Sequence, residues 1–225
     1  MDKLFIVANL KSNQTNSEAK DWLLNFRKIK DSKQNFDDKE IILCPSLILL
    51  STFALFISEN NLNIRLGAQN VSPFNEGPYT GEVNAKQVKD FADYVLIGHS
   101  ERRTNFSESD EMLSKKVEAC LKYGLKPIFF VQDTKTFIPH EAQTIVYEPP
   151  SSISTVSNGI PDSPEDVELS IKTIGKNRSF EHIFYGASVD SNNVSKFTSI
   201  PKIDGVVVGK ASLDAQEFIK IIENA

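Results

Sequence analysis

Residues 94–103 read Tyr94-Val95-Leu96-Ile97-Gly98-His99-Ser100-Glu101-Arg102-Arg103. An apolar run without alternation ends at a glycine, and a dense polar cluster follows. A strand apolar on both faces is covered on both faces, the condition of a parallel strand in an α/β sheet. The cluster therefore stands at the strand's carboxyl end, where such sheets place their ligands. Taken alone, His-Ser-Glu-Arg-Arg serves equally well as a solvated charged loop, so the neighbouring elements decide.

The same pattern recurs on either side. Upstream, Leu4 to Ala8 is a short apolar run that leads into Asn9-Leu10-Lys11. Thr15 opens a helix with Glu18 as its capping box, and Ala19, Trp22, Leu23, Phe26 and Ile29 follow at helical spacing, which makes Trp22 a core residue. Glu40–Cys44 is a second strand ended by Pro45, Ser46 to Ser58 a helix, and Ile64–Ala68 a third strand. A long loop, Gln69 to Val83, has the length of a functional or interface segment. Ala85 to Ala92 is a short helix.

Downstream, the spacing predicts a helix over Ser107–Tyr123 closed by Gly124, then a strand at Pro127–Val131. Gln132 to Gln143 contains Pro139 and has room for one helical turn at most. Strands follow at Thr144–Glu148, His182–Gly186 and Gly205–Gly209. A helix capped by Ser163 with Pro164 at its first position lies between the first two, and a short helix or loop runs to Phe197. Ala215 to Asn224 is a last amphipathic helix. Strands and helical segments thus alternate with no break in composition. That is the pattern of one (β/α)8 barrel, a single catalytic domain over 1–225 with a reduced fifth helix. A doubly wound open sheet normally has a Gly-rich turn after its first strand, and here that turn is Asn9-Leu10-Lys11-Ser12-Asn13.

Composition narrows the partners. The chain has 225 residues with 25 Lys and Arg against 30 Asp and Glu, a net charge of −5 that argues against a nucleic-acid binder. Cys44 and Cys120 lie in apolar surroundings, as free thiols in a reducing compartment do. The apolar run at the N-terminus is too short for a signal peptide, and no stretch is long enough to span a bilayer. Triplets such as Asn13-Gln14-Thr15 are then chance matches to a glycosylation signal.

Polar groups gather at the strands' carboxyl ends: Asn9 and Lys11, His99 and Glu101, Glu148, Ser188, and Gly209-Lys210. In a barrel all of these ends face one mouth. A lone lysine or glutamate after a strand is ordinarily solvated, but their joint placement on one rim is not ordinary. The set has the parts for moving a proton beside a carbonyl: Glu148 as base, His99 as acid or electrophile, Lys11 as fixed positive charge. Backbone N–H groups after the sixth, seventh and eighth strands suit a phosphate. His99, His140 and His182 lack the spacing of metal ligands. Gly205 to Ala211 fails as a P-loop because its glycines are one residue too close and no Ser or Thr follows Lys210 directly. No Gly-x-Ser-x-Gly elbow occurs.

Across nearly the whole chain these pieces resemble the triosephosphate isomerase family. The matching stretches are Ala8–Lys11, Gly67–Asn70, Tyr79–Glu82, Ile97–Arg103, Tyr147–Pro149, Tyr185–Val189 and Asp204–Leu213. The resemblance implies interconversion of dihydroxyacetone phosphate and glyceraldehyde 3-phosphate in glycolysis and gluconeogenesis, without a cofactor. It implies that Glu148 shuttles the proton and that His99, neutral at a helix N-terminus, polarises the carbonyl. It further implies that Lys11 and Asn9 support the developing oxyanion, while Glu101 orients Lys11. Ser154, Ser188, Gly209 and Lys210 would form the phosphate site. The Gln69–Val83 loop would be a homodimer arm, placing Thr80 near the partner's Asn9 and the partner's Lys11, with Glu82 reaching an arginine such as Arg102. A cytoplasmic location follows from the same likeness.

The match departs in places. After the sixth strand the family has Pro-Val-Trp-Ala-Ile-Gly-Thr-Gly, and this chain has Pro149-Pro150-Ser151-Ser152-Ile153-Ser154-Thr155-Val156. Valine resists the positive φ that glycine adopts, so this lid closes with other backbone angles or less completely. Ala187 and Lys210 each stand where the family usually has glycine. Lys210 either adds charge near the phosphate or points into solvent, with solvent preferred. Two other readings compete with an active isomerase: a barrel that binds a phosphate metabolite with little or no turnover, and an isomerase of a larger phosphosugar.

Overall fold

The computed structural model describes residues 3–31, 36–152, 162–176 and 178–225. Eight strands pair in parallel and in chain order, and the last pairs with the first to close a barrel. They are β1 (Leu4–Asn9), β2 (Lys39–Cys44), β3 (Arg65–Ala68), β4 (Tyr94–Ile97), β5 (Lys126–Val131), β6 (Thr144–Tyr147), β7 (His182–Tyr185) and β8 (Gly205–Val208). Around them run α1 (Asn16–Asp31), α2 (Leu50–Glu59), α3 (Ala85–Lys89), α4 (Ser100–Phe106), α5 (Asp110–Lys122), α6 (Pro164–Ile174), α7 (Val194–Thr198) and α8 (Ala215–Asn224). This is the α/β class and the (β/α)8 topology that the alternation predicts.

The strands are apolar on both faces because both faces are buried. On β5, Ile128 and Phe130 join Val7, Ile42, Leu96 and Phe184 in a cluster inside the barrel. Their neighbours Phe129 and Val131 face outward into the layer shared with the helices. At the closing seam Phe5 pairs with Gly205, and a Cβ on Gly205 would lie 2.4 Å from the Phe5 carbonyl oxygen. Only glycine allows β1 and β8 to approach this closely.

The helix expected over Ser107–Tyr123 is α5, and α4 precedes it as a helix that was not expected. Ser107 adopts a left-handed φ of 51° and ends α4, and α5 begins afresh with Ser109 accepting a hydrogen bond from the Met112 N–H at 3.2 Å. Residues 100–105 lack apolar periodicity, so α4 left no hydrophobic signature. It forms at the β4 exit, where Gly98 turns the chain with φ 75° and Arg103 Nε donates to the Gly98 carbonyl at 2.8 Å. The expected helix from Ser46 likewise starts as a 3-10 turn, Leu47–Leu49, before α2.

Behind α4 lies a buried ionic cluster. Lys116 Nζ donates to Glu108 at 2.5 Å and to Asn70 Oδ1 at 2.7 Å, while Arg102 Nε donates to the same Glu108 oxygen at 2.6 Å. Burial lowers the Lys116 pKa, and the bond to Glu108 opposes that shift. The cluster ties α4, α5 and the root of the Gln69–Val83 loop together. Cys44 and Cys120 are free and buried, and burial pushes the Cys120 thiol up to about 12. Among the described residues no helix is long and apolar enough to cross a membrane.

No helix joins β5 to β6; the segment between them is a turn-rich strap. Arg178 holds it from the far side, donating to the carbonyls of Pro139 (2.9 Å), His140 (2.6 Å) and Ala142. A planar fork can satisfy several carbonyls at once, which a lysine ammonium cannot match in direction. Arg178→Ala should destabilise the protein by about 2 kcal/mol, measured as a fall in urea midpoint without a change in slope, and Arg178→Lys should recover part of the loss.

Candidate active site

The barrel mouth holds a cleft of about 430 Å³. Its lining includes Asn9 from the end of β1, Lys11 just beyond it, His99 after β4, Glu148 after β6, Ser188 after β7 and Gly209 after β8. Residues scattered over the sequence meet here because every parallel strand ends on the same rim.

His99 is the N-cap of α4. The Glu101 N–H donates to His99 Nδ1 at 3.1 Å, so Nδ1 presents its lone pair to the backbone. A neutral imidazole then carries its proton on Nε2, the nitrogen that faces the cleft. Nε2 lies 3.1 Å from Glu148 Oε1, and the Ser100 N–H donates to Glu148 Oε2 at 3.3 Å. Both side chains are buried, and the Phe130 ring lies 4.8 Å from the imidazole and forms its floor. The carboxylate thus rests between a ring N–H and the first amide of a helix.

Lys11 is held in a conformation that a lysine rarely takes. Its φ is 52°, in the left-handed region. Asn9 Oδ1 accepts from the Lys11 N–H at 3.2 Å, and Gln69 Nε2 donates to both the Lys11 and Cys44 carbonyls at 2.8 Å. Lys11 Nζ donates to Glu101 at 2.5 Å. Backbone strain of this kind costs of order 1–3 kcal/mol and persists only where surrounding contacts impose it. Here the contacts aim the ammonium across the mouth.

Ser188 is also left-handed, with φ 47°. Its hydroxyl donates to the Ser152 carbonyl at 2.6 Å, and Asn193 Nδ2 donates to the Ser188 carbonyl at 2.9 Å. After β8 the chain folds into the 3-10 turn Lys210–Leu213. There the Ser212 N–H and hydroxyl both donate to the Gly209 carbonyl, at 2.9 and 2.7 Å. Trp22 packs in the core against Phe26, as its helical spacing predicts, and its indole N–H also donates to the Ser212 carbonyl at 3.1 Å. Lys210 is exposed and still borders the cleft. Ser154 lies outside the described residues, as does the rest of 153–161.

Thr80 and Glu82 are exposed on the Gln69–Val83 loop, and neither borders the cleft of its own protomer. Within the protomer Arg102 is engaged by Glu108, not by Glu82. Sequence reasoning missed five contributors. The Ser100 amide carried no side-chain signal. Gln69 stood inside a quoted motif without a role. Asp190, Asp214 and Glu217 line one wall of the cleft, although each read as an ordinary loop or helix-start acid.

A carboxylate, a neutral imidazole and an ammonium converge at the mouth of a barrel whose sequence matches the triosephosphate isomerase profile over residues 4–225. The chain belongs to the triosephosphate isomerase family. It is 37% identical over 253 aligned positions to the triosephosphate isomerase of Thermodesulfovibrio yellowstonii, covering 99% of this chain and 100% of that one. The triosephosphate isomerase of Aquifex aeolicus is 32% identical, covering 96% of this chain and 97% of its own. That of Mesomycoplasma hyopneumoniae strain 232 is 34% identical, covering 99% and 100%.

Gln69→Leu tests the restraint on Lys11. Two carbonyls lose their donor and the left-handed turn loses its brace. The isomerase kcat/KM should fall by about tenfold or more through misplacement of the ammonium, while urea unfolding shows a loss of about 1–3 kcal/mol.

Proposed function

We propose that this cleft interconverts dihydroxyacetone phosphate and D-glyceraldehyde 3-phosphate by proton transfer through an enediolate. The enzyme class follows from family membership, and the reaction belongs to glycolysis and gluconeogenesis. The observation that carries the residue roles is the pairing of Glu148 with His99 Nε2 at 3.1 Å in a buried site beside Lys11.

The chemistry follows from that pairing. A substrate carbonyl oxygen that takes the Nε2–H displaces the Glu148 carboxylate from its resting partner. The freed carboxylate then faces the carbon next to the carbonyl and accepts its proton, as a general base must from within hydrogen-bond reach. Negative charge grows on the substrate oxygens. His99 donates its hydrogen bond to them, Asn9 supports them, and the Lys11 ammonium offsets the charge in a site with little water. His99 passes its Nε2 proton to the former carbonyl oxygen and takes up the proton of the neighbouring hydroxyl, which becomes the new carbonyl, and returning the proton from Glu148 to the adjacent carbon completes the isomerisation. Glu101 acts on Lys11 rather than on substrate. The phosphate lies against the Ser188 loop and the amides of the Gly209–Lys210 turn, with Ser154 completing the site. A barrel that only bound a phosphate metabolite would need no carboxylate opposite the imidazole.

The purified protein should turn over glyceraldehyde 3-phosphate, and Glu148→Gln should lower kcat by about a thousandfold with a smaller change in KM. Equal inactivity of wild type and variant would overturn the isomerase reading.

The same reading includes a cytoplasmic homodimer. Phe74 and Tyr79 stack 4.3 Å apart on the Gln69–Val83 arm, and both are substantially exposed. Ile48 is 84% exposed and Phe106 64% exposed on the surrounding face. A hollow of about 300 Å³ beside Lys11 and Glu101, edged by Leu47 and Phe106, suits the arm of a second copy. Two-fold symmetry would bury both arms at once. Sedimentation across a dilution series should give twice the 25.2 kDa chain mass, and Ile48→Asp with Phe106→Asp should yield monomers of lower activity.

A further inference from the structure

More carboxylates than ammoniums border the cleft. Glu148, Asp190, Asp214 and Glu217 border it, against the ammoniums of Lys11 and Lys210. The wall acids are fixed in place. Asp190 accepts from the Asn192 and Asn193 amides, Asp214 caps α8, and Glu217 accepts from the Ser191 N–H at 3.0 Å. Lys11 is already paired with Glu101. Residues 153–161 carry no charged side chain in sequence. Among the described residues no ion pair involves Lys210. Its backbone is anchored, because it opens the 3-10 turn that Ser212 and the Trp22 indole hold from behind.

We propose that the Lys210 side chain is a substrate-binding and specificity-determining group. Its ammonium pairs with the dianionic phosphate and offsets the acidic wall. Exposure of the free residue is then the condition of a cation waiting for its counterion, and binding through it is sensitive to salt. The inference rests on the isomerase reading for the identity of the substrate, and it adds a side-chain cation to the backbone amides that hold the phosphate in that reading.

The test compares wild type with Lys210→Gln and Lys210→Arg. In steady-state assays with glyceraldehyde 3-phosphate, Lys210→Gln should raise KM by about tenfold, the worth of one well-placed charge-assisted contact, and leave kcat within about twofold. It should weaken inhibition by inorganic phosphate by a similar factor and flatten the rise of KM with sodium chloride. Lys210→Arg should restore KM, inhibition and salt dependence toward wild type. An unchanged KM and an unchanged phosphate inhibition constant in Lys210→Gln would overturn the proposal, as would a fall in kcat with KM untouched. If wild type showed no turnover, the isomerase reading would fail separately. Calorimetric titration of wild type and Lys210→Gln with inorganic phosphate would still decide the role of Lys210, equal affinities overturning it.

Discussion

The hydrogen-bonded seam between β1 and β8, Phe5 to Ala8 against Gly205 to Val208, turns a sheet into a barrel. Closure has a geometric consequence for chemistry. It sets the chain after β1, with Asn9 and Lys11, directly beside the turn after β8, with Gly209 and Lys210. The first and last thirds of the sequence thereby share one wall of one cleft. An open sheet would leave Lys11 at an edge, far from the partners that give it a use. The seam depends on steric room at Gly205, where any side chain would meet the Phe5 backbone.

Around that rim the working groups are fixed by bonds that come from other elements. Lys11 and Ser188 both occupy the left-handed region without being glycine. Each is braced from outside its own loop, Lys11 by Gln69 and Glu101, and Ser188 by the Ser152 carbonyl, with Asn193 of the same loop adding a further bond to Ser188. The 3-10 turn after β8 is steadied by an indole from α1. Preorganised groups of this kind need not rearrange when charge develops on a substrate. The exception is Glu148, whose partners His99 Nε2 and the Ser100 amide are groups that a substrate can replace. The proton-shuttle role proposed for Glu148 needs a carboxylate whose partners can be exchanged in this way.

The chain also shows how a barrel tolerates loss at its back while keeping its mouth. The strap between β5 and β6 replaces a crossover helix, and its carbonyls are gathered by Arg178. Strand β5 still pairs along its length with β4 and β6, so the carboxyl ends keep their register. Phe130 inside the barrel supports His99 from below, so packing under the site comes from the strand itself.

Much of the fold was legible because barrel strands are buried on both faces and announce themselves as unbroken apolar runs. Tyr94 to Ile97 and Gly205 to Val208 are examples. The residues that meet at the mouth could be named for the same reason, since each directly follows such a run. A helix without an apolar stripe was not legible. Helix α4 is built on a histidine ring and a glycine turn, and a sequence window sees only charge there. Sequence by itself determined the strand order, the closed parallel class and the identities of Asn9, Lys11, His99 and Glu148 as neighbours, because periodicity and strand ends are local properties. Only the tertiary structure decided which nitrogen of His99 faces Glu148, that Gln69 braces Lys11, and that Asp190, Asp214 and Glu217 crowd the wall beside Lys210. Those facts depend on distances between groups from different strands, which exist only after the barrel closes.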